Sequence, residues 1–223
     1  MERGKIITLE GLDCSFKETN AKNLKFFLDN TLRTPVNLVS FPRHHDKGAI
    51  FVDRYLDGTY KDMSLQQVIL TYAMDRFDYI KTANVIERLD KGEWFIFDRY
   101  VNSNLIYQYA NIEKNEVDEL RDLIYKIEYD ILELPKPDIV LALMTDFELI
   151  EEKLKEKHKT TPSDKHESDL EYLRKVYNRY NILITRYGWD MINVIRDSDT
   201  HEPKNQQTIL FSIVEILKKR EII

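Results

Sequence analysis

Five short runs of β-branched and apolar residues, at 5–10, 36–41, 94–97, 139–143 and 191–195, punctuate this chain at long intervals. The segments between them carry a helical period instead. Residues 65–91 bring Val68, Tyr72, Ile80, Ala83 and Ile86 into register, and 117–132 and 148–157 also suit helices. Strands this far apart cannot pair through tight hairpins, and helical crossovers carry the chain back in one direction. The pattern predicts an α/β fold, with a five-stranded parallel sheet and helices on both faces. Both faces are then covered, and a ligand is left the crevice beyond the carboxyl ends of the strands. The residues just after each run are therefore the candidates for function.

After the first run comes Gly11-Leu12-Asp13-Cys14-Ser15-Phe16-Lys17-Glu18-Thr19, which is most of a phosphate-binding loop. In the full pattern G-x-x-x-x-G-K-[ST], glycines let backbone N–H groups wrap the phosphates, the lysine reaches the outer phosphates, and a hydroxyl holds Mg²⁺. Gly11 and Lys17 are in place, but Phe16 stands at the second glycine and Glu18 at the hydroxyl. Taken alone, such a loop also suits an ordinary strand-to-helix turn with a solvated lysine. Lys17 still leads into a helical stretch at 19–29, so its ammonium would add to the positive N-terminal end of that helix. Pro42 and Arg43 follow the second run, and Asp98, Arg99 and Tyr100 follow the third. An Asp-Arg couple after one strand can simply pin a loop. Lys17, Arg43 and Arg99 converging on one crevice point instead to a polyphosphate or to two phosphates.

No Pro-, Gly- or Ser-rich linker divides the 223 residues, so one domain over 1–223 is expected. The net charge of −6 argues against charge-driven binding of nucleic acid, and leaves room for a local basic pocket taking a small phosphate ester. Cys14, the only cysteine, supports neither an internal disulfide nor a thiolate zinc site, which fits a cytoplasmic setting. No apolar run is long enough to span a bilayer and no apolar leader precedes the first strand, so neither membrane nor export is expected. Residues 151–171 crowd Lys153, Lys155, Lys157, Lys159 and Lys165 among carboxylates, around Thr160-Thr161-Pro162-Ser163. On composition this is a solvated hairpin. A lid closing over phosphates, at about residues 155–168, would have the same makeup.

The strand-end residues match a family in order. Glu10-Gly11-Leu12-Asp13 with Lys17, then Phe41-Pro42-Arg43, Asp75-Arg76, the stretch from Asp98-Arg99-Tyr100 through Ser103-Asn104 to Tyr107-Gln108, and Leu134-Pro135-Lys136-Pro137-Asp138 together resemble the thymidylate kinases. Asp164-Lys165-His166-Glu167 is similar to that family's lid signature. The resemblance implies a P-loop nucleoside monophosphate kinase-like fold with a lid, a homodimer, and transfer of the γ-phosphoryl group of ATP to dTMP with Mg²⁺ as cofactor. By the same resemblance, Gly11, Ser15, Lys17, Glu18 and Thr19 face ATP, and Lys17 holds the transferring group. Arg43 and Arg99 clamp the acceptor phosphate with guanidinium forks. Phe41, Tyr72, Arg76, Ser103, Asn104 and Tyr107 surround the nucleoside. Tyr72, for which plain core packing is the other reading, stacks on thymine; Arg76 reaches a base carbonyl, Asn104 reads the base edge, and Tyr107 crowds the 2′ position. Asp13 lies near the sugar and the metal. Phosphoryl transfer needs alignment and charge neutralisation rather than a strong base, which makes Lys17, Arg99 and Asp13 the catalytic candidates.

Two departures from the family pattern carry consequences. Phe16 in a conformation suited to glycine would be strained by roughly 1–2 kcal/mol, with weaker ATP binding as the expected result. Glu18 would repel a triphosphate unless metal lies between them, so Asp13, Asp98 and Glu167 become the candidate Mg²⁺ ligands. Where the family carries a loop or lid arginine this chain offers lysines, with Arg174 and Arg179 further along as substitutes. A lysine is a point charge without the fork, and a slower enzyme follows. Two alternatives stay open: a catalytically impaired nucleotide-binding homologue, and a deoxynucleoside kinase acting on the free nucleoside. Arg43 speaks against the second, since a free 5′-hydroxyl has no phosphate to clamp.

Overall fold

In a computed structural model that describes residues 2–160, 169–195 and 204–223, the five runs form one parallel sheet. Its strands are β1 (Ile6–Glu10), β2 (Val36–Ser40), β3 (Trp94–Asp98), β4 (Ile139–Met144) and β5 (Asp190–Asn193), in the spatial order β2-β3-β1-β4-β5. Helices α1 (Lys17–Thr31), α2 (Ile50–Leu56), α3 (Leu65–Thr82), α4 (Val85–Asp90), α5 (Val101–Gln108), α6 (Val117–Tyr125), α7 (Phe147–Lys157), α8 (Leu170–Tyr187) and α9 (Gln206–Lys219) fill the intervals.

β1 is the central strand, with Ile7 opposite Ile96 of β3 on one side and opposite Ile139 of β4 on the other. Successive side chains of a strand point to opposite faces, and a central parallel strand is covered on both, so all five of its residues are buried. Ile7 and Leu9 pack with Ala21, Leu24 and Leu28 of α1 and with Ile209 and Ile213 of α9. Ile6 belongs to the opposite core, with Phe95, Phe97, Leu105, Ile124, Ile150 and Leu183. Each Leu, Ile or Phe among them contributes on the order of 1.5–3 kcal/mol by leaving water.

Two predicted helices differ from what is observed. The segment 65–91 is not one helix: Ser64 starts α3 with a capping box, its Oγ accepting from Gln67 N at 3.3 Å while Gln67 Oε1 accepts from Ser64 N at 2.8 Å. The run then breaks at Asn84, which takes a left-handed conformation with φ 51 just before α4. Asparagine tolerates that region better than other residues with a β-carbon. The segment 117–132 starts as α6 but widens into a π-helical turn, Lys126–Ile131, closed by Leu132 N donating to Ile127 O at 2.9 Å. No helix among the described residues is long and apolar enough to cross a membrane.

The sheet brings three loops to one place. Phe41 N donates to Asp98 O at 2.9 Å and Arg99 N donates to Leu9 O at 2.9 Å, so the chain leaves β1, β2 and β3 side by side.

Candidate active site

A cavity of about 660 Å³ opens where those loops meet. Its floor at one end is the Gly11–Lys17 turn. Gly11 sits at φ 157, where a β-carbon would come within 2.7 Å of Ser15 Oγ and 3.0 Å of Leu143 O, so close packing of loop on strand excludes any larger residue. Phe16 has φ 63 and ψ 19 and is the residue before α1, its carbonyl accepting from Asn20 N at 3.1 Å and Asn20 Nδ2 at 2.8 Å. The loop therefore holds a left-handed backbone at the second glycine position of the motif without the glycine, and the strain expected from the sequence is present. Phe16 itself lines the cavity and packs on the α1 side of the sheet.

Lys17 is buried, and its Nζ donates to Leu12 O at 2.5 Å. Burial, and next the neighbouring Arg99 charge, lower its pKa to about 8 despite the carboxylates of Asp98, Asp13 and Glu10. Glu18 points outward, its Oε1 accepting from Lys22 at 2.5 Å, and with Thr19 it forms an exposed rim. Ser15 Oγ is buried and lies behind the loop rather than on the cavity wall.

Asp13, Arg99 and Tyr107 form the middle of the wall. Arg99 Nη2 donates to Asp13 Oδ1 at 2.7 Å, Arg99 Nη1 donates to Gly11 O at 3.0 Å, and Tyr107 Oη donates to Asp13 Oδ2 at 2.9 Å. Burial alone would raise the Asp13 carboxyl, but the charges of Arg99 and Lys17 and the bond from Tyr107 outweigh it and hold the group well below the usual carboxylate range. Behind this layer Glu10 is fully buried. Its Oε1 accepts from Tyr100 N at 3.0 Å and its Oε2 from Ser103 Oγ at 2.5 Å, tying β1 to the turn that presents Arg99. Burial pushes Glu10 up to about 6, against the lowering effects of Ser103 and Arg99.

At the far end the cavity is lined by Phe41, Tyr72, Arg76, Ser103, Asn104 and Gln108. Tyr72 and Arg76, one turn apart on α3, both reach it, and Asn104 and Gln108 reach it from α5. Asn104 Oδ1 and Gln108 Nε2 are buried with no hydrogen-bond partner among the described residues. Buried amide atoms without partners are uncommon in folded proteins, and these two belong to residues that line the cavity.

Not every candidate arrives. Arg43 is turned away from the cavity, toward α3: its Nε donates to Asp75 Oδ1 at 2.8 Å, its Nη2 to Asp78 Oδ2 at 2.7 Å, and its guanidinium lies 5.3 Å from the Tyr79 ring centre. Three carboxylates, those of Asp75, Asp78 and Asp46, and an aromatic face hold one guanidinium, while its neighbours Pro42 and His44 line the cavity instead. Arg174 pairs with Glu151 at 3.1 Å, and Arg179 lies 4.4 Å from the Tyr109 ring centre, so neither substitutes for a loop arginine in this structure. Lys153 and Lys157 of α7, singled out only as part of a charged segment, do line the cavity. His44 carried no signal beyond its place after a strand. Glu167 and the rest of 161–168 lie outside the described residues.

For a divalent metal the fit rests on Asp98. Its Oδ1 is buried at the end of β3 without a partner among the described residues, and its Oδ2 is 3.5 Å from Ser40 Oγ. One free carboxylate oxygen beside a phosphate loop suits Mg²⁺, which takes one or two carboxylates and completes its shell with phosphate and water. Both oxygens of Asp13 already accept from Arg99 and Tyr107.

Comparison with known proteins gives the family. The thymidylate kinase family profile matches residues 9–205. The chain is 29% identical over 191 residues to the thymidylate kinase of Mycobacterium tuberculosis, covering 82% of this chain and 87% of that one. It is 24% identical over 219 residues to the thymidylate kinase of Prochlorococcus marinus, covering 93% and 95%. The fold matches the thymidylate kinase of Candida albicans with a TM-score of 0.72 at 22% identity, over 98% of this chain and 93% of that one. With a family match across most of its length, and that family's fold around a phosphate loop, this chain belongs to the thymidylate kinase family.

Proposed function

We propose that this nucleoside monophosphate kinase, which phosphorylates dTMP with ATP, aligns its two nucleotides across one cavity, with transfer occurring between Lys17 and Arg99. The observation that carries the reading is that the phosphate loop, the Asp13–Arg99–Tyr107 group, and Asn104 and Gln108, each with a buried amide atom unpartnered among the described residues, line the same cavity. ATP phosphates lie on the loop backbone and the N-terminus of α1, and Lys17 exchanges Leu12 O for the transferring group. Arg99 holds the acceptor phosphate, and because Asp13 fixes its guanidinium the fork is set in advance. Tyr107, held by the same carboxylate, stands at the sugar's 2′ position. Phe41 and Tyr72 flank the base, with Arg76, Ser103 and Asn104 around it. Asp98 would hold Mg²⁺, whose charge eases the approach of two polyanions. Gly11, Ser15, Glu18 and Thr19 shape the loop. Lys153 and Lys157 supply cations where the loop lacks an arginine.

The left-handed backbone at Phe16 supports an active enzyme rather than an impaired homologue, because the loop keeps its shape. We read residues 1–223 as one kinase domain with its lid at about 155–168, in a cytoplasmic homodimer. Leu70 and Met74, exposed one turn apart on α3, support a second copy of the chain as the partner. The deciding experiment is ADP release with ATP and Mg²⁺ on dTMP, thymidine, dCMP and dGMP. Turnover on dTMP alone agrees with the reading, and equal turnover on dGMP would overturn the assignment of the base pocket.

A further inference from the structure

We propose that Glu128 is a positioning residue that decides which base edge the acceptor pocket accepts. The proposal rests on the reading that the base meets Arg76 and Asn104. Glu128 is fully buried in the π-helical turn that follows α6, a site where a helical pattern would put a solvated carboxylate. The wide turn swings it beneath α3 and α5. Its Oε2 accepts from Arg76 Nε at 2.6 Å, and its Oε1 accepts from Arg76 Nη2 at 2.6 Å and from Asn104 Nδ2 at 2.9 Å. One carboxylate thus holds both side chains assigned to the base.

The consequence is directional. Asn104 Nδ2 also donates to Ile69 O at 3.1 Å, so the amide nitrogen is bound by two acceptors and Oδ1 is the atom left over. Turning the carboxamide over would set Oδ1 against a carboxylate oxygen and a carbonyl oxygen, two acceptors with no proton between them. The Arg76 guanidinium is likewise held by two parallel bonds. What remains for a base is an acceptor from Asn104 beside the edge of a guanidinium, which offers only donors. That pair complements an imide, N3–H next to C4=O, as in thymine or uracil. Cytosine presents an unprotonated ring nitrogen and an amine, and meets like with like at both atoms. Glu128, touching no substrate, enforces the choice because a carboxylate can only accept.

Glu128→Gln keeps the shape but replaces one acceptor by a donor, so either Arg76 Nε loses its partner, or Arg76 Nη2 loses its partner and the Asn104 amide one of its two. The test is kcat/KM for dTMP and for dCMP in the wild-type and variant enzymes, with the KM for ATP alongside. The expected result is that the preference for dTMP over dCMP falls by about 10-fold or more, mainly through a higher KM for dTMP, while the KM for ATP stays within about 2-fold. A folded variant that keeps the wild-type preference overturns the role of Glu128 and leaves the pocket reading standing. A variant that loses activity equally on both acceptors also overturns it, because that pattern is structural damage. A wild-type enzyme without preference overturns the pocket reading and this proposal with it. If Glu128→Gln does not fold, Glu128→Asp decides: it keeps the buried charge but is too short to reach both partners, and an unchanged preference there overturns the proposal.

Discussion

Replacing Phe16 should reverse the usual order of alanine and glycine. At an ordinary site alanine is the more stabilising of the two by about 0.4–1 kcal/mol, because glycine leaves the unfolded chain more freedom to lose. Phe16 is not ordinary: it holds φ 63, a region that costs a residue with a β-carbon about 1–2 kcal/mol. Both substitutions lose the packing of a half-buried phenyl ring, about 1–1.5 kcal/mol at half the value of full burial. Alanine keeps the backbone strain, so Phe16→Ala is destabilised by that full amount. Glycine relieves the strain and gives back only its unfolded-state entropy, so Phe16→Gly should lie within about 1 kcal/mol of wild type and above the alanine variant by about 0.5–1 kcal/mol. Urea denaturation of the three proteins at one pH measures the order, and thermal midpoints should differ by about 1–4 °C between the two variants. An alanine variant as stable as the glycine variant, or more so, would refute the claim that this backbone is strained. The KM for ATP, measured alongside, should fall in the glycine variant, where phosphate meets bare backbone.

Three further outcomes follow from the charges and the surface. Lys17 sits at about pKa 8 in the free enzyme, and a bound polyphosphate favours its ammonium, so ATP binding should take up a proton above pH 8 and weaken by up to about 10-fold per pH unit. Calorimetry at pH 8.5 in buffers of different ionisation enthalpy reads the uptake; its absence, or its survival in Lys17→Met, would remove Lys17 from the phosphates. Glu10 has a folded pKa of about 6 against 4.5 unfolded, so the folded state binds the extra proton between those values. Its contribution to stability is complete below pH 4.5 and is lost as pH rises through 6, a cost of about 2 kcal/mol by pH 7 that Glu10→Gln should not show. The difference in unfolding free energy between the two proteins at pH 4.5 and pH 7.5 checks the sign. Finally, Leu70→Glu with Met74→Glu should convert a dimer to the 26.7 kDa monomer in sedimentation, and a wild type already monomeric at micromolar concentration would refute the dimer.

The sheet was legible because its physics is periodic. A strand buried on both faces is rich in β-branched and apolar residues, and Ile6–Leu9 and Ile139–Met144 announce themselves for that reason. The cavity lining was legible at strand ends, as with Asp13 and Arg99, and through the family resemblance on helices, as with Tyr72, Arg76 and Asn104. Arg43 stands at such an end as well, but whether it faces the crevice or α3 depends on Asp75 and Asp78, which only the folded chain brings near. Those two carboxylates share a helix face at i, i+3, a faint signal for a bound guanidinium. Glu128 gave none, because a carboxylate in a helical segment reads as solvated until a π-helical turn buries it against Arg76. The phosphate loop shows the opposite case. Its letters depart from the motif at Phe16, yet its backbone takes the left-handed turn, and phosphates are held by backbone N–H groups and one ammonium rather than by letters. What the substitution changes is the energy of holding that turn, which is why the comparison of glycine with alanine at this position tests the loop more directly than any match to a pattern.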